Sequence, residues 1–260
     1  MTGLLKIKDR FDVAFGNDTD ADRHGIVSPE GGLINPNHFL SVSIDYLFGH
    51  RKEWGGDLKV GKTAVSSSMI DRVARGLGRE VYETPVGIKW FQPGLTDGWL
   101  GFGGEESAGA TFLARNGEVW NTDKDGLTMG LLAAEILAVT GEDVWARFNR
   151  LVDTYGQPFY ARRDAALAPE QKARFKALDP DSLGITELAG ETVTGVRTRA
   201  PGNDAPIGGL KVETANGWFA ARPSGTEPIY KIYAESFHDA GHLEQILEQA
   251  QGVVGKALGD

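Results

Sequence analysis

Between residues 59 and 152 the chain switches repeatedly between two apolar periodicities, and few folds accommodate that pattern. Residues 59–65, 79–84, 99–102 and 110–114 read as short strands. Stretches around them repeat at three and four residues. Asn35-Pro36 opens a helix carrying Phe39, Leu40, Ile44, Leu47 and Phe48. Ser66 to Ser68 offer caps for a second, with Met69, Ile70, Val73 and Leu77, which Gly78 ends. Thr122 or Asp123 caps a long third helix reaching Val139, and a fourth holds Val144, Trp145, Phe148, Leu151 and Val152. Strands interleaved with helices predict a three-layer α/β/α domain with a parallel or mixed sheet covered on both faces.

The pattern changes after Tyr155-Gly156-Gln157-Pro158. Pro169 opens a short polar helix, and 192–198 reads as a strand. Residues 210–214 and 218–221 flank Asn216-Gly217, a strong hairpin signal. Residues 229–234 alternate as another strand, and Asp239 caps a final helix with Leu243, Ile246, Leu247, Val253 and Val254. A smaller α+β domain is expected here. At the start, Phe11, Val13 and Phe15 alternate as a strand with nothing upstream to pair with it, so the chain reads as beginning part-way through a larger protein. The expected organisation is a remnant of a preceding α/β domain over 1–27, an α/β/α domain over 28–153 and an α+β domain over 154–260.

Composition removes several function classes. With no cysteine among 260 residues, disulfides and thiolate metal sites are excluded. A net charge of −9 disfavours nucleic acid held by bulk charge, though basic residues converging locally could still bind an anion. The first residues carry no secretory pattern, and the apolar run over 127–139 is too short to span a membrane and contains Glu135. A cytoplasmic protein without membrane contact is expected. Glycine stands out: there are 35, close to twice the usual ~7%. Many tight loops are implied.

Three loops carry residue types with chemistry. Asp18-Thr19-Asp20-Ala21-Asp22-Arg23 sets carboxylates at alternate positions just past a strand. In an extended loop they share a face, where their repulsion calls for a cation and their hard oxygens select Mg²⁺ or Ca²⁺. An EF-hand fails, because Arg23 and Pro29 stand where Gly and Glu are needed. A solvated acidic turn is the alternative. Arg23 offers a fork for phosphate or, equally, a salt-bridge partner. Gly103-Gly104-Glu105-Glu106-Ser107-Ala108-Gly109 lets backbone approach a ligand, with Glu105 and Ser107 facing the same way to accept and donate to a sugar diol; a glycine-rich turn facing water fits too. Arg222-Pro223-Ser224-Gly225-Thr226-Glu227-Pro228 supplies a guanidinium, two hydroxyls and open amides, the inventory of a phosphate cradle or of a plain turn. Lys124 reads as a helix-surface ion pair, with a reach to the anion as the alternative. His24 reads as a surface residue, with a proton shuttle as the alternative.

In this order and spacing the three loops resemble the α-D-phosphohexomutase family, most closely its bacterial glucose-phosphate members. Thr84-Pro85-Val86-Gly87-Ile88-Lys89 and Lys124-Asp125-Gly126 also match family segments, and the resemblance covers essentially the whole chain. It implies that Asp18, Asp20 and Asp22 ligate Mg²⁺ and that Arg23 assists the phosphoryl group. Glu105 and Ser107 would hold sugar hydroxyls, Lys124 would contact substrate, and Arg222, Ser224 and Thr226 would grip the phosphate not in transfer. The implied reaction moves a phosphoryl group between O1 and O6 of glucose through a phosphoserine, with glucose 1,6-bisphosphate as intermediate. Two departures matter. The family's Thr-Ala-Ser-His-Asn-Pro-like serine segment is missing, so the N-terminal domains that carry it would be partners and no turnover by this chain alone is expected. Val86 replaces a threonine that contacts substrate in some relatives. A sugar-phosphate-binding module that never catalyses is the alternative.

Overall fold

A computed structural model describes residues 1–259 except Ala177 and Thr226; for Pro169, Lys176, Asp181 and Ser182 it describes the backbone only. The chain divides into two units, Met1–Tyr82 with Val86–Gly156, and Glu83–Pro85 with Gln157–Asp260.

The first unit runs α1 (Thr2–Leu5), β1 (Ala14–Asn17), β2 (His24–Ser28), β3 (Gly32–Leu33), α2 (Pro36–His50), β4 (Lys59–Thr63), α3 (Met69–Gly76), β5 (Val81–Thr84), α4 (Gln92–Thr96), β6 (Leu100–Gly104), β7 (Ala110–Phe112), α5 (Gly126–Thr140) and α6 (Val144–Tyr155). Its main sheet has the order β5-β4-β6-β7, with β4 and β6 parallel and β6 and β7 antiparallel; Glu83 and Thr84, the last residues of β5, are counted with the second unit. The mixed sheet expected from the alternating periodicities is therefore present. Helix α2 is apolar nearly all round because it is the most deeply packed helix: Phe39, Leu40, Val42, Ile44 and Leu47 are fully buried. Pro36 occupies its first turn, and the Asn35 side chain accepts from the Asn37 N–H at 2.9 Å.

Helix α5 begins later than expected. Asp125, rather than Thr122 or Asp123, is the cap, its carboxylate accepting from the Thr128 N–H at 2.9 Å. Gly141, at φ 72°, ends this helix. The opening strand is also displaced. Lys8–Arg10 forms a 3₁₀ turn, Phe11 is left half exposed, and pairing starts at Ala14. Strand β1 pairs downstream rather than upstream, from Ala14↔Val27 to Asn17↔His24, so it is not left without a partner.

The second unit runs β8 (Phe159–Ala166), α7 (Pro169–Lys176), β9 (Glu187–Leu188), β10 (Glu191–Thr192), β11 (Gly195–Arg199), β12 (Pro206–Glu213), β13 (Gly217–Pro223), β14 (Ile229–Ser236) and α8 (Ala240–Leu258). Five strands form a wholly antiparallel sheet in the order β11-β12-β13-β14-β8. Helix α8 lays Leu243, Ile246, Leu247, Ala250 and Val254 against Phe219, Ile232 and Ala234. Asp239 caps it as expected, accepting from the His242 N–H at 2.8 Å. Among the described residues, no helix is long and apolar enough to cross a membrane.

Candidate functional site

The acidic loop is the turn of the β1–β2 hairpin. Pairing ends at Asn17↔His24, so residues 18–23 form a six-residue connection. Asn17 Nδ2 donates to the Arg23 carbonyl at 2.9 Å, and the Ala21 N–H donates to the Asp18 carbonyl at 3.0 Å. Ala21 adopts φ 58°, a left-handed conformation that costs a non-glycine residue energy and is held here by its surroundings. Part of that hold comes from α5, whose Gly126 N–H donates to the Ala21 carbonyl at 3.0 Å.

The glycine-rich loop docks beside it. Arg23 and Gly109 form a β-bridge, and the His24 N–H donates to the Ala108 carbonyl at 3.0 Å. The Asp125 N–H donates to the Ala110 carbonyl at 2.9 Å, which fixes the start of α5 to the same place. Lys124 consequently reaches back, and its Nζ lies 2.6 Å from Asp22 Oδ2. The acidic loop, the glycine-rich loop and Lys124 thus meet within the first unit.

Charge in this cluster is largely internally balanced. Arg23 Nε donates to Asp18 Oδ2 at 2.6 Å and lies 3.7 Å from Asp22 Oδ1. Burial raises the Asp18 carboxyl, but the hydrogen bonds and charge of Arg23 outweigh it and hold its pKa below the ordinary carboxylate value. Burial likewise disfavours the charged Lys124 ammonium, and Asp22 outweighs it, so its pKa is raised. Asp22 Oδ1 is buried and has no hydrogen-bond partner, while Asp20 is exposed. A buried carboxylate oxygen without a hydrogen bond, beside two more aspartates, suits a hard divalent cation. The residues therefore fit Mg²⁺, although the carboxylates are turned onto Arg23 and Lys124. Among the described residues, the group of three metal-ligating side chains that is already gathered lies elsewhere, at Glu191, His238 and His242.

Glu105 and Ser107 do not share a face. Strand β6 ends at Gly104, and the Ala108 N–H closes a turn onto the Glu105 carbonyl at 3.1 Å, so two-residue alternation stops there. Glu105 is buried, its Oε1 accepting from the Gly87 N–H at 2.8 Å, whereas Ser107 is exposed. Glu106 instead accepts from Thr63 Oγ1 at 3.3 Å, at the end of β4. Gly87 sits in the Pro85-Val86-Gly87 segment, at φ 134°. His24, expected at the surface, is buried against Phe39 with both ring nitrogens unpartnered, and burial lowers its pKa to about 4. A ring that resists protonation is a poor proton shuttle near neutrality.

The second unit carries the basic turn after β13. Arg222 Nε is buried and has no hydrogen-bond partner. The Ser224 N–H donates to the Ile229 carbonyl at 2.8 Å, closing the turn, and Ser224 Oγ accepts from the Glu227 N–H at 3.3 Å. Thr226 lies outside the described residues. Sequence reasoning passed over Lys231. It pairs directly with Arg222 across the sheet, which puts two cations side by side on one face. Like charges so placed repel, and an anion between them relieves the repulsion. The signal lies in the β13–β14 register, which sets Arg222 opposite Lys231.

Fold and site define a two-unit α/β protein that sets an acidic hairpin loop against a glycine-rich turn and a lysine, and presents a basic turn in its second unit. The chain belongs to the phosphoglucomutase/phosphomannomutase family of phosphohexomutases: residues 35–155 match the family's alpha/beta/alpha domain III, and residues 168–252 match its C-terminal domain. A phosphoglucomutase from Komagataeibacter xylinus is 59% identical over 254 residues, covering 98% of this chain and 46% of the relative. Among solved structures, a putative phosphomannomutase from Thermus thermophilus superposes with a TM-score of 0.72 at 27% identity, covering 97% of this chain and 48% of the other. A phosphoglucomutase/phosphomannomutase family protein from Burkholderia thailandensis has the same fold, with a TM-score of 0.74 at 22% identity and coverages of 98% and 49%. The chain spans about half the length of the relatives it matches.

Proposed function

We propose that these residues form the sugar-phosphate-binding half of a cytoplasmic phosphoglucomutase, which interconverts glucose 1-phosphate and glucose 6-phosphate through a phosphoserine and glucose 1,6-bisphosphate. The reading rests on one observation: Lys124 reaches Asp22 at 2.6 Å where the Arg23–Gly109 bridge joins the acidic and glycine-rich loops. The phosphoserine segment is not among these 260 residues, and the reading assigns it to the N-terminal domains of the full-length enzyme.

In this reading Asp18, Asp20 and Asp22 hold Mg²⁺, which when bound supplies positive charge to the phosphoryl group in transfer. Arg23 releases Asp18 to the cation and turns its fork to a phosphoryl oxygen. Glu105 accepts from sugar hydroxyls, with its backbone anchored by Gly109 and its carboxylate aimed by the Gly87 N–H. Ser107 adds a hydroxyl from the exposed side of the turn, and Lys124 bridges acidic loop and substrate. Arg222, Ser224 and Thr226 bind the phosphate that stays in place.

Calorimetry with glucose 1,6-bisphosphate and the chain is the test. Binding should strengthen when Mg²⁺ is added, Asp20→Asn should remove that gain, and the chain alone should show no steady interconversion. Binding indifferent to both Mg²⁺ and Asp20→Asn would sink the assignment of the acidic loop.

A further inference from the structure

Glu191, His238 and His242 come together in the second unit, and none of the three belongs to the sugar-phosphate site. One carboxylate oxygen of Glu191 and one nitrogen of each imidazole lie within 4.8 Å of one another. They arrive from separate segments: Glu191 from β10, His238 from the residues after β14, and His242 from the first turn of α8. We propose that this cluster is a second metal site, selective for a borderline transition ion such as Zn²⁺ over Mg²⁺.

The donor set carries the argument. Two imidazole nitrogens and one carboxylate oxygen are the ligands Zn²⁺ takes at about 2.0–2.2 Å in three-residue sites that leave a fourth position for water. Mg²⁺ prefers oxygen alone. His238 Nε2 and Glu191 Oε1 are 2.8 Å apart. Two tetrahedral ligands of one Zn²⁺ stand roughly 3.3 Å apart, so a small opening admits the ion. His238 Nε2 gives up its proton on metal entry, and the half-exposed ring can carry that proton on Nδ1.

The surroundings already hold each ligand in place, as they do around established metal sites. Glu191 Oε2 accepts from Thr214 Oγ1 at 2.5 Å and from the Asn216 N–H at 3.1 Å, and Oε1 accepts from Asn216 Nδ2 at 2.9 Å. His242 Nε2 faces the Ala189 carbonyl at 3.1 Å. A carbonyl only accepts, so Nε2 is the protonated nitrogen and Nδ1 supplies the lone pair, which the Ser236 hydroxyl, 2.8 Å away, must yield to the ion. That hydroxyl also accepts from the His238 N–H at 3.0 Å, so Ser236 orients both histidine segments. The two rings stand at 84° with centroids 4.7 Å apart, edge to face rather than stacked.

Zn²⁺ titrated by calorimetry into the whole chain at neutral pH tests the site, with excess Mg²⁺ present to fill the hard-oxygen acidic loop. One Zn²⁺ per chain should bind, and the ion should raise the thermal unfolding midpoint. His238→Gln and His242→Gln should each weaken binding about tenfold or more and abolish the midpoint shift. Whichever variant keeps the wild-type metal-free midpoint decides. Absence of saturable binding, or wild-type binding in that variant, would leave the cluster a hydrogen-bonded tie and overturn the proposal.

Discussion

Lys124 and Asp22, 102 residues apart in sequence, meet at 2.6 Å because Gly109 leaves room for the lysine stem. A Cβ at Gly109 would overlap Lys124 Cδ and crowd its Cγ at 2.9 Å. The obstructing atoms belong to a flexible side chain, so Gly109→Ala should push Lys124 off Asp22 and leave the fold intact. Binding of glucose 1,6-bisphosphate should fall about tenfold, the scale of one charge-assisted contact, with the melting midpoint nearly unchanged. Calorimetry beside thermal unfolding checks both parts. Wild-type affinity would show that Lys124 does not serve the ligand.

How far the sequence exposed this site depends on which physics set each part. The acidic loop was legible because strand alternation delivers it to a hairpin end, whichever strand supplies the partner. That the partner is β2 rather than something upstream was not legible, since short strands carry no address. Glu105 and Ser107 differ in burial because β6 ends at Gly104 and the Ala108 N–H closes a turn there, a feature that no residue type in the loop announces. His24 was placed outside by its polarity alone, whereas β2 buries four of its five residues and took the histidine with Ile26. Lys231 escaped because cross-strand register is a property of two strands together.

Glycine-rich strand β6 makes a separate prediction. The glycine excess suggested loops, yet Gly101, Gly103 and Gly104 lie within the strand and make space for buried side chains. A Cβ at Gly103 would stand 2.6 Å from Phe91 Cδ2, 2.7 Å from its Cγ and 2.9 Å from its Cβ, and Phe91 has no exposed surface into which to retreat. Gly103→Ala should destabilise the first unit by about 1–3 kcal/mol, the usual cost of overpacking. A urea titration that finds no loss would contradict this packing.

Buried histidine should make the first unit sensitive to mild acid. His38 stacks on Phe148 with centroids 3.8 Å apart, and burial lowers its pKa from 6.5 to about 4. Between those values the unfolded chain binds a proton that the folded one refuses, so stability present above pH 6.5 declines as pH falls towards 4. His38→Phe keeps a ring against Phe148 and removes the proton. His24, lowered likewise to about 4, keeps its own share. The loss of stability across that window should therefore shrink to about half. Urea midpoints above and within the window measure it, and an unchanged slope would clear His38 of the effect.

Arg222 offers the cleanest separation of binding from stability. Among the described residues its Nε is buried without a hydrogen-bond partner, and its strand neighbour Lys231 is a second cation, so two positive charges stand side by side with little to offset them. Among the described residues Lys231 pairs with the half-exposed Glu227, at 3.6 Å. An unmet buried donor costs about 1–3 kcal/mol, and an anion recovers it. Arg222→Ala should therefore leave the unfolding midpoint unchanged or slightly raised, while inorganic phosphate, which stabilises the wild type, should no longer raise it. Arg222→Lys restores charge without the two-pronged geometry and should recover only part of that phosphate response. A large loss of stability in Arg222→Ala would instead make the guanidinium a structural strut, and the phosphate role of this turn would have to be given up.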